Sequence, residues 1–229
     1  GPQGPVHPDE LAGLEGATQL VTVTANRWDA RIGTLVAWQK QGRSWRAARG
    51  PLTVRLGRNG MARPSQVVHQ RSRTRAGMFT VDRALGVRPA PGGEVRYRQL
   101  DSGDRWPFDP QARSTYNVFQ PRRPVRPTWR PTYEEVFWRN RPAFAYTLVL
   151  DHNLPQDVRR DQRRRLLFAR TPAAVPGGSL LLHTGDRVGR HGWVSLPTAE
   201  LRWLTRWARP RTQGTRFAVG TVDFLRNRL

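Results

Sequence analysis

The sequence predicts a mainly β protein with one helix. Several short segments alternate apolar and polar side chains or are continuously apolar, as strands are. Turn-forming residues such as Gln41-Gly42-Arg43 separate them at close intervals. A single stretch near the end of the chain has helical apolar spacing. Short strands with close turns favour an antiparallel, hairpin-rich arrangement.

The predicted strands follow one another along the chain. They are expected at residues 19–24, 33–39, 44–48, 52–56, 144–150, 179–183 and 216–220. The helix is expected after Pro197, with Thr198 as its N-cap and Glu200 in the first turn, where a negative charge is favourable. Leu201 and Leu204 then lie on its apolar face.

The composition along the chain also predicts its domain organisation. Residues 1–16 are expected to be a flexible N-terminal lead, and 17–229 a single domain. Residues 101–142 and 154–176 are rich in proline or charge and are expected to be long irregular segments. If 101–142 covers a site, its aromatic residues would pack over that site: Trp106, Phe108, Tyr116, Phe119 and Trp129.

The composition limits the possible functions. Among 229 residues, 39 are Lys or Arg and 17 are Asp or Glu, a net charge of +22, and Lys40 is the only lysine. Such a surface attracts polyanions: nucleic acid, anionic lipid or an anionic wall polymer. The densest run, 159–165, is interpreted either as a solvated helix face or as a polyanion contact. No apolar run approaches the ~20 residues of a membrane-spanning helix.

The chain has no cysteine, which excludes disulfides, thiolate metal sites and cysteine nucleophiles. Its five histidines have no HxH or HExxH spacing. We therefore expect no metal and no cofactor.

The stretch from His183 to Val194 indicates a function more specifically than the composition does. His183 ends a strand, a glycine-containing loop follows, and His191-Gly192-Trp193-Val194 leads towards the helix. This pattern resembles the catalytic signature of the YkuD family, the L,D-transpeptidases of bacterial cell walls. In the shorter actinobacterial relatives, a strand-end histidine precedes Gly-Cys-Val by about ten residues.

Other segments extend the resemblance over roughly residues 19–220. The fold that the resemblance implies is a mixed sheet in a sandwich or barrel-like form, with one or two short helices. Residues 74–80 are similar to the family's Thr-Pro-x-Gly-x-Phe strand, with Arg75 where proline is usual. The other similar segments are 55–60, Asp109-Pro110 with Tyr116-Asn117, and 146–153.

The resemblance implies a lost nucleophile. In the family, the histidine activates a cysteine whose thiolate attacks a peptide carbonyl to give a thioacyl enzyme. Trp193 occupies that cysteine's position here, and Arg190 stands where a Ser or Thr is usual. Indole is not a nucleophile, so the resemblance predicts a catalytically inactive domain.

The expected site has two sets of residues. The vestigial pocket would comprise His183, His191, Gly192, Trp193 and Ser195. The expected ligand-binding residues are Arg190, Trp193, Thr74, Gly77 and Phe79, with Trp193 as a stacking surface and Arg190 pairing with carboxylates.

Structural interpretations of the same residues remain open. His183 is then an ordinary strand-end histidine, His191 a turn residue and Trp193 a core side chain. A Ser195–His183 nucleophilic pair is a further alternative.

Three functional hypotheses follow. The first is a secreted or cell-wall-associated inactive domain, its signal peptide removed, that binds peptidoglycan, an anionic wall polymer or an active cell-wall enzyme. The second is a polyanion or nucleic-acid binder that acts through charge alone. The third is residual acyl transfer or hydrolysis through Ser195.

Overall fold

The computed structural model describes residues 6–66, 72–174, 178–185, 190–211 and 214–228, without the side chains of residues 190 and 228. The protein is mainly β, with 41% strand and 17% helix, and its strands form a large curled mixed sheet with few short helices. These features confirm the predicted fold class, a mainly β protein with a mixed sheet and few short helices.

The strands vary widely in length. In chain order they are β1 (Gln19–Ala25), β2 (Ile32–Gln41), β3 (Ser44–Arg55), β4 (Met61–Ala62), β5 (Thr74–Arg75), β6 (Gly77–Phe79), β7 (Val81–Gly86), β8 (Tyr97–Gln99), β9 (Arg105–Pro107), β10 (Glu134–Val136), β11 (Thr147–Leu150), β12 (Gln156–Asp161), β13 (Leu166–Thr171), β14 (Leu181–Thr184), β15 (Val194–Leu196) and β16 (Thr215–Thr221).

The helices are short. The described residues form α1 (Thr198–Trp207), α2 (Val222–Arg228) and 3-10 helices at Pro8–Glu10, Arg113–Thr115, Pro131–Tyr133, Phe137–Phe144 and Arg190–Gly192. No helix of the described chain is long and apolar enough to span a membrane.

Ten strands form the main sheet, in the order β6-β16-β1-β2-β3-β15-β14-β11-β7-β8. β1 pairs with β16 in parallel and with β2 in antiparallel fashion. Near the other end of the sheet, β14 and β15 are parallel neighbours. The loop between them and the short 3-10 helix at Arg190–Gly192 therefore join two adjacent strands of the sheet.

Most predicted strands are present, with two differences. Segments 44–48 and 52–56 are parts of one strand, β3, because β2 pairs with it along most of its length despite irregularities near Ala37. The run 144–150 starts as a strand only at Thr147, since Phe144 ends a 3-10 helix.

The helix α1 begins at Thr198, but Thr198 is not its cap. Pro197 occupies the cap position, and no side-chain hydrogen bond closes the helix N-terminus. Leu201 and Leu204 are buried as expected, and Glu200 lies in the first turn. No helix is predicted at the position of the second one, α2.

The core consists of separate clusters on the two faces of the sheet. Val194 and Leu196 of β15 belong to the larger cluster, which also contains Leu201 of α1. Trp193 and Leu181 belong to a second, aromatic cluster. Because side chains alternate along a strand, residues of odd number around β14 and β15 point to the aromatic cluster.

The N-terminal lead differs from its expectation. Val6 is fully buried, and Leu11 and Leu14 pack around the same cluster, which includes Leu20 of β1. Residues 1–5 lie outside the described chain. The lead from residue 6 onwards therefore packs on the sheet, because its apolar side chains cover that part of the core.

The two segments expected to be irregular contain regular elements. Within 101–142, β9 and β10 pair with each other. Within 154–176, β12 and β13 form an antiparallel hairpin. The arginine run 159–165 therefore lies on this hairpin, and its interpretation as a helix face is wrong. Side chains with so much charge hide the alternation on which strand prediction depends.

Candidate functional site

His183 and Ser195 lie directly beside each other on β14 and β15, where they are register partners. Both side chains are almost fully buried, with 3% and 1% of their surface exposed. His183 Nδ1 lies 3.1 Å from the carbonyl oxygen of Thr184. The Ser195 hydroxyl donates a 2.9 Å hydrogen bond to the carbonyl oxygen of Gly185. A carbonyl oxygen is not a general base, so this bond does not activate Ser195 as a nucleophile.

Trp193 fills the space next to His183. Its side chain is 4% exposed, and its indole N–H donates a 3.0 Å hydrogen bond to the carbonyl oxygen of Ser179. Ring-centre distances are 6.0 Å to His183, 6.2 Å to Phe144 and 5.1 Å to His191. The indole is thus packed on several sides, and a ligand would stack on it only after His191 had moved.

His191 forms the outer layer of this cluster. Its imidazole is 45% exposed, and Nε2 lies 3.6 Å from a carboxylate oxygen of the buried Glu135. Phe108 packs on its other side at 5.5 Å. His191 therefore covers Trp193 and presents one edge to solvent.

The 101–142 segment contributes to the same cover. Trp106 belongs to the cluster of Trp193, and Phe119 packs against that cluster. Trp106 donates a 3.0 Å hydrogen bond to the side chain of Asn117, which in turn bonds the carbonyl oxygen of Asn153 at 3.0 Å. Of the aromatic residues that were expected to cover the site, Trp106, Phe108 and Phe119 do pack against it.

Thr74 joins a distant segment to the site. Its hydroxyl donates a 2.8 Å hydrogen bond to the carbonyl oxygen of Gly192 and accepts one of 2.9 Å from the backbone N–H of Gly57. All three residues are buried. Two segments that the resemblance singled out, 55–60 and 74–80, are therefore tied to the His-Gly-Trp segment.

Two further ligand-binding candidates, Phe79 and Gly77, are not brought to this position. Phe79 packs in the larger cluster on the opposite face of the sheet and lies 5.5 Å from the ring of His152. Gly77 lies on the same short strand, β6, at one edge of the main sheet. Arg190 begins the short 3-10 helix, but its side chain lies outside the described residues, as do residues 186–189.

One ionic feature escaped the sequence analysis. Arg130 binds both carboxylate oxygens of Asp109, at 2.7 and 2.9 Å. This pairing holds the pKa of the Asp109 carboxyl well below its usual range, against a smaller opposing effect of burial. Asp109 also accepts the backbone N–H groups of Gln111 and Arg130, so it fixes the chain direction next to Phe108. The Asp109–Arg130 pair could not be inferred from spacing.

Across the described ranges, no group of three His, Cys, Asp or Glu side chains is arranged to bind a metal ion. The His191–Glu135 contact supplies only two such groups.

A surface cleft of about 620 Å³ lies elsewhere on the protein. Arg63 lies over the ring of Trp28, 4.5 Å from its centre, and Phe224 of α2 contacts the same ring. The residues that line the cleft include none of the sequence-predicted site residues; they are Trp28, Arg63, Pro64, Ser65, Thr221, Asp223, Phe224 and Asn227.

The half-buried imidazole of His152 provides a test of this part of the fold. Burial, and to a smaller extent the nearby charge of Arg75, lowers the pKa of His152 to about 4. An unfolded histidine binds its proton near pH 6.5. Because the unfolded chain is protonated first, His152 should reduce the free energy of unfolding progressively as pH falls from about 6.5 to about 4.

Urea unfolding of the wild type and His152→Gln at pH 7.5, 5.5 and 4.5 measures this contribution. The wild type should lose more stability than the variant between pH 7.5 and 4.5. Parallel losses in the two proteins would show that His152 titrates normally.

Comparison with known proteins adds no relative: no protein family, curated protein or solved structure matches this chain. The resemblance to the L,D-transpeptidases therefore stays a prediction from the sequence motifs.

Proposed function

We propose that this chain is a catalytically inactive, L,D-transpeptidase-like domain that acts at the bacterial cell wall as a binding protein. One observation carries the proposal: Trp193, at the position of the family's nucleophile, is buried against His183 and hydrogen-bonded to Ser179. The side chain blocks the place where a substrate carbonyl would meet a nucleophile. The site therefore has a structural role rather than a chemical one.

The contacts between distant segments support the family part of this proposal. Thr74 and Gly192 are 118 residues apart, and Asn117 and Asn153 are 36 apart, yet each pair is hydrogen-bonded. Each of these segments carries part of the sequence likeness to the family.

The environment of Ser195 argues against residual acyl transfer. The chain has no cysteine, and Ser195 is the register partner of His183. Its proton is bonded to the carbonyl oxygen of Gly185, and the side chain is buried. A substrate would have to displace Trp193 or separate β14 from β15 to reach it.

The net charge of +22 indicates the kind of ligand. Arginine forms bidentate hydrogen bonds with carboxylates and phosphates. Peptidoglycan carries carboxylates on its stem peptides, and wall polymers carry phosphates. A secreted protein with this surface would be held at the wall by such groups.

Co-sedimentation with purified peptidoglycan sacculi tests the proposal. We expect the wild type and Ser195→Ala to bind equally, because the hydroxyl takes no part in binding. An unrelated folded protein of similar isoelectric point serves as the control for charge. Binding no stronger than that control would contradict the proposal.

A nucleic-acid binder is the second candidate, and the exposed arginines favour it. Duplex DNA, added as a competitor in the same experiment, distinguishes the two. Under the cell-wall proposal DNA displaces the protein weakly. If DNA at equal phosphate concentration removes the protein completely from the sacculi, nucleic acid is the better assignment.

A further inference from the structure

The hairpin β12–β13 is a strongly basic surface outside the old site. Between Gln156 and Thr171 it carries two aspartates, Asp157 and Asp161, and six arginines, a net charge of +4 (six minus two). These arginines are all exposed: Arg159, Arg160, Arg163, Arg164, Arg165 and Arg170. The two strands pair with each other in a separate two-stranded sheet. We name residues 156–171 the arginine ribbon.

The ribbon is anchored firmly at its base. Leu166 and Ala169 are buried, and the side-chain amide of Gln120 bonds both the N–H and the carbonyl oxygen of Leu167, at 2.9 and 2.7 Å. Leu154, just before β12, packs against the aromatic cluster that contains Trp193. The ribbon is thus held in place next to the vestigial site rather than hanging as a free loop.

The tip of the ribbon is shaped by Asp161. One of its carboxylate oxygens accepts the backbone N–H groups of Arg163 and Arg164, both at 3.0 Å. Arg165 then adopts a left-handed conformation, with φ of 56°, before the chain enters β13. This turn holds three consecutive arginines at the exposed end.

Much of the positive charge is not neutralised within the protein. Arg159 pairs with Asp157 at 2.7 Å, and Arg164 lies 3.8 Å from Asp161. Among the described residues, no carboxylate partners Arg160, Arg163, Arg165 or Arg170. Like charges held close together repel one another and destabilise the strand pair that carries them. A bound polyanion would relieve this repulsion.

We propose that the arginine ribbon binds a phosphodiester polymer of the cell wall. This inference rests on the proposed function and names the surface and the ligand chemistry. Arginine matches phosphate oxygens with two parallel hydrogen bonds, which gives stronger contact than a point charge. Neighbouring side chains on a strand point to opposite faces, so Arg159 and Arg160 place charge on both sides of the ribbon. A flexible single-chain polymer follows such a surface around the ribbon, whereas a stiff duplex engages one side of it.

The test compares two variants with the same loss of charge. The ribbon variant combines Arg160→Gln, Arg163→Gln, Arg165→Gln and Arg170→Gln. The control variant combines Arg31→Gln, Arg43→Gln, Arg46→Gln and Arg202→Gln, four exposed arginines on other surfaces. All eight side chains are on the surface, and circular dichroism during heating verifies that both variants fold.

Binding is measured on sacculi that retain their phosphodiester polymers and on sacculi from which hydrofluoric acid has removed them, over a range of salt concentrations. The wild type and control variant should prefer the intact sacculi. The ribbon variant should lose that preference, and the slope of log affinity against log salt should fall by about 2 to 3, because up to four phosphate contacts are lost.

Each outcome decides between the claims. If the ribbon and control variants lost the same amount of binding to intact sacculi, the ribbon would not be the specific binding surface. The cell-wall proposal would then still stand. Failure of the wild type to bind either kind of sacculi would overturn the proposed function itself. Tighter binding of the wild type to duplex DNA than to intact sacculi, lost only in the ribbon variant, would assign the ribbon to nucleic acid instead.

Discussion

Trp193→Ala should lower the free energy of unfolding by about 3 to 5 kcal/mol, the usual effect of truncating a buried large aromatic side chain. The substitution removes the ring contacts with Phe144, His183 and His191. It also leaves the carbonyl oxygen of Ser179 without the indole N–H. Equilibrium unfolding in guanidinium chloride, monitored by circular dichroism, measures the change.

Trp203→Ala is the matched control on the surface. Trp203 is half-buried on α1 and stacks against Trp207 with 5.2 Å between ring centres. Its removal should cost less, because part of the ring already contacts solvent. If the two variants were equally stable, Trp193 would not be the core residue that the inactive-site account requires.

Gly192→Ala should be severely destabilising for a different reason. Gly192 has φ of 82°, a conformation that costs an L-residue about 1 to 2 kcal/mol. A Cβ at this position would also overlap the backbone carbonyl of Arg73. Since the backbone cannot move without breaking the Thr74–Gly192 hydrogen bond, we expect a loss of stability well beyond the conformational cost. The change in guanidinium midpoint measures it.

Gly42→Ala separates the conformational cost of a positive φ from the cost of overlap between the new Cβ and its neighbours. Gly42 has φ of 62° in the β2–β3 turn, but a Cβ there meets nothing within 4 Å. This variant should therefore show only the conformational cost. Equal midpoints for the two variants would mean that the packing of Gly192 against Arg73 is not close.

Strands with alternating or continuously apolar residues could be predicted from the sequence, and strands without such a pattern could not. β1 and β16 have alternating or apolar residues and lie inside the sheet, so their sequences carry the signal of burial. β12 is exposed at nearly every residue, and its arginines conceal its strand character. β9 and β10 have three residues each, too few for any period to be recognised. Sheet order is also set by contacts between distant residues, which spacing does not contain.

The candidate site could be predicted only in part, because several of its contacts join segments that are distant in the sequence. The proximity of His183 and the 191–195 segment followed from a motif, because both lie within a short stretch of chain. The Thr74–Gly192 bond and the His191–Glu135 contact join distant segments. The burial of Trp193 depends on Phe144 and the 3-10 helix before β11, whose packing no local pattern indicates.

The central claim is that this domain binds at the wall without reacting there. Its most direct test is intact-protein mass spectrometry of wild type incubated with sacculi and then eluted with high salt. The account predicts that the protein elutes with its mass unchanged. A mass increase that is absent from Ser195→Ala would contradict the account, because it would show acyl transfer through Ser195 at a site that we describe as closed.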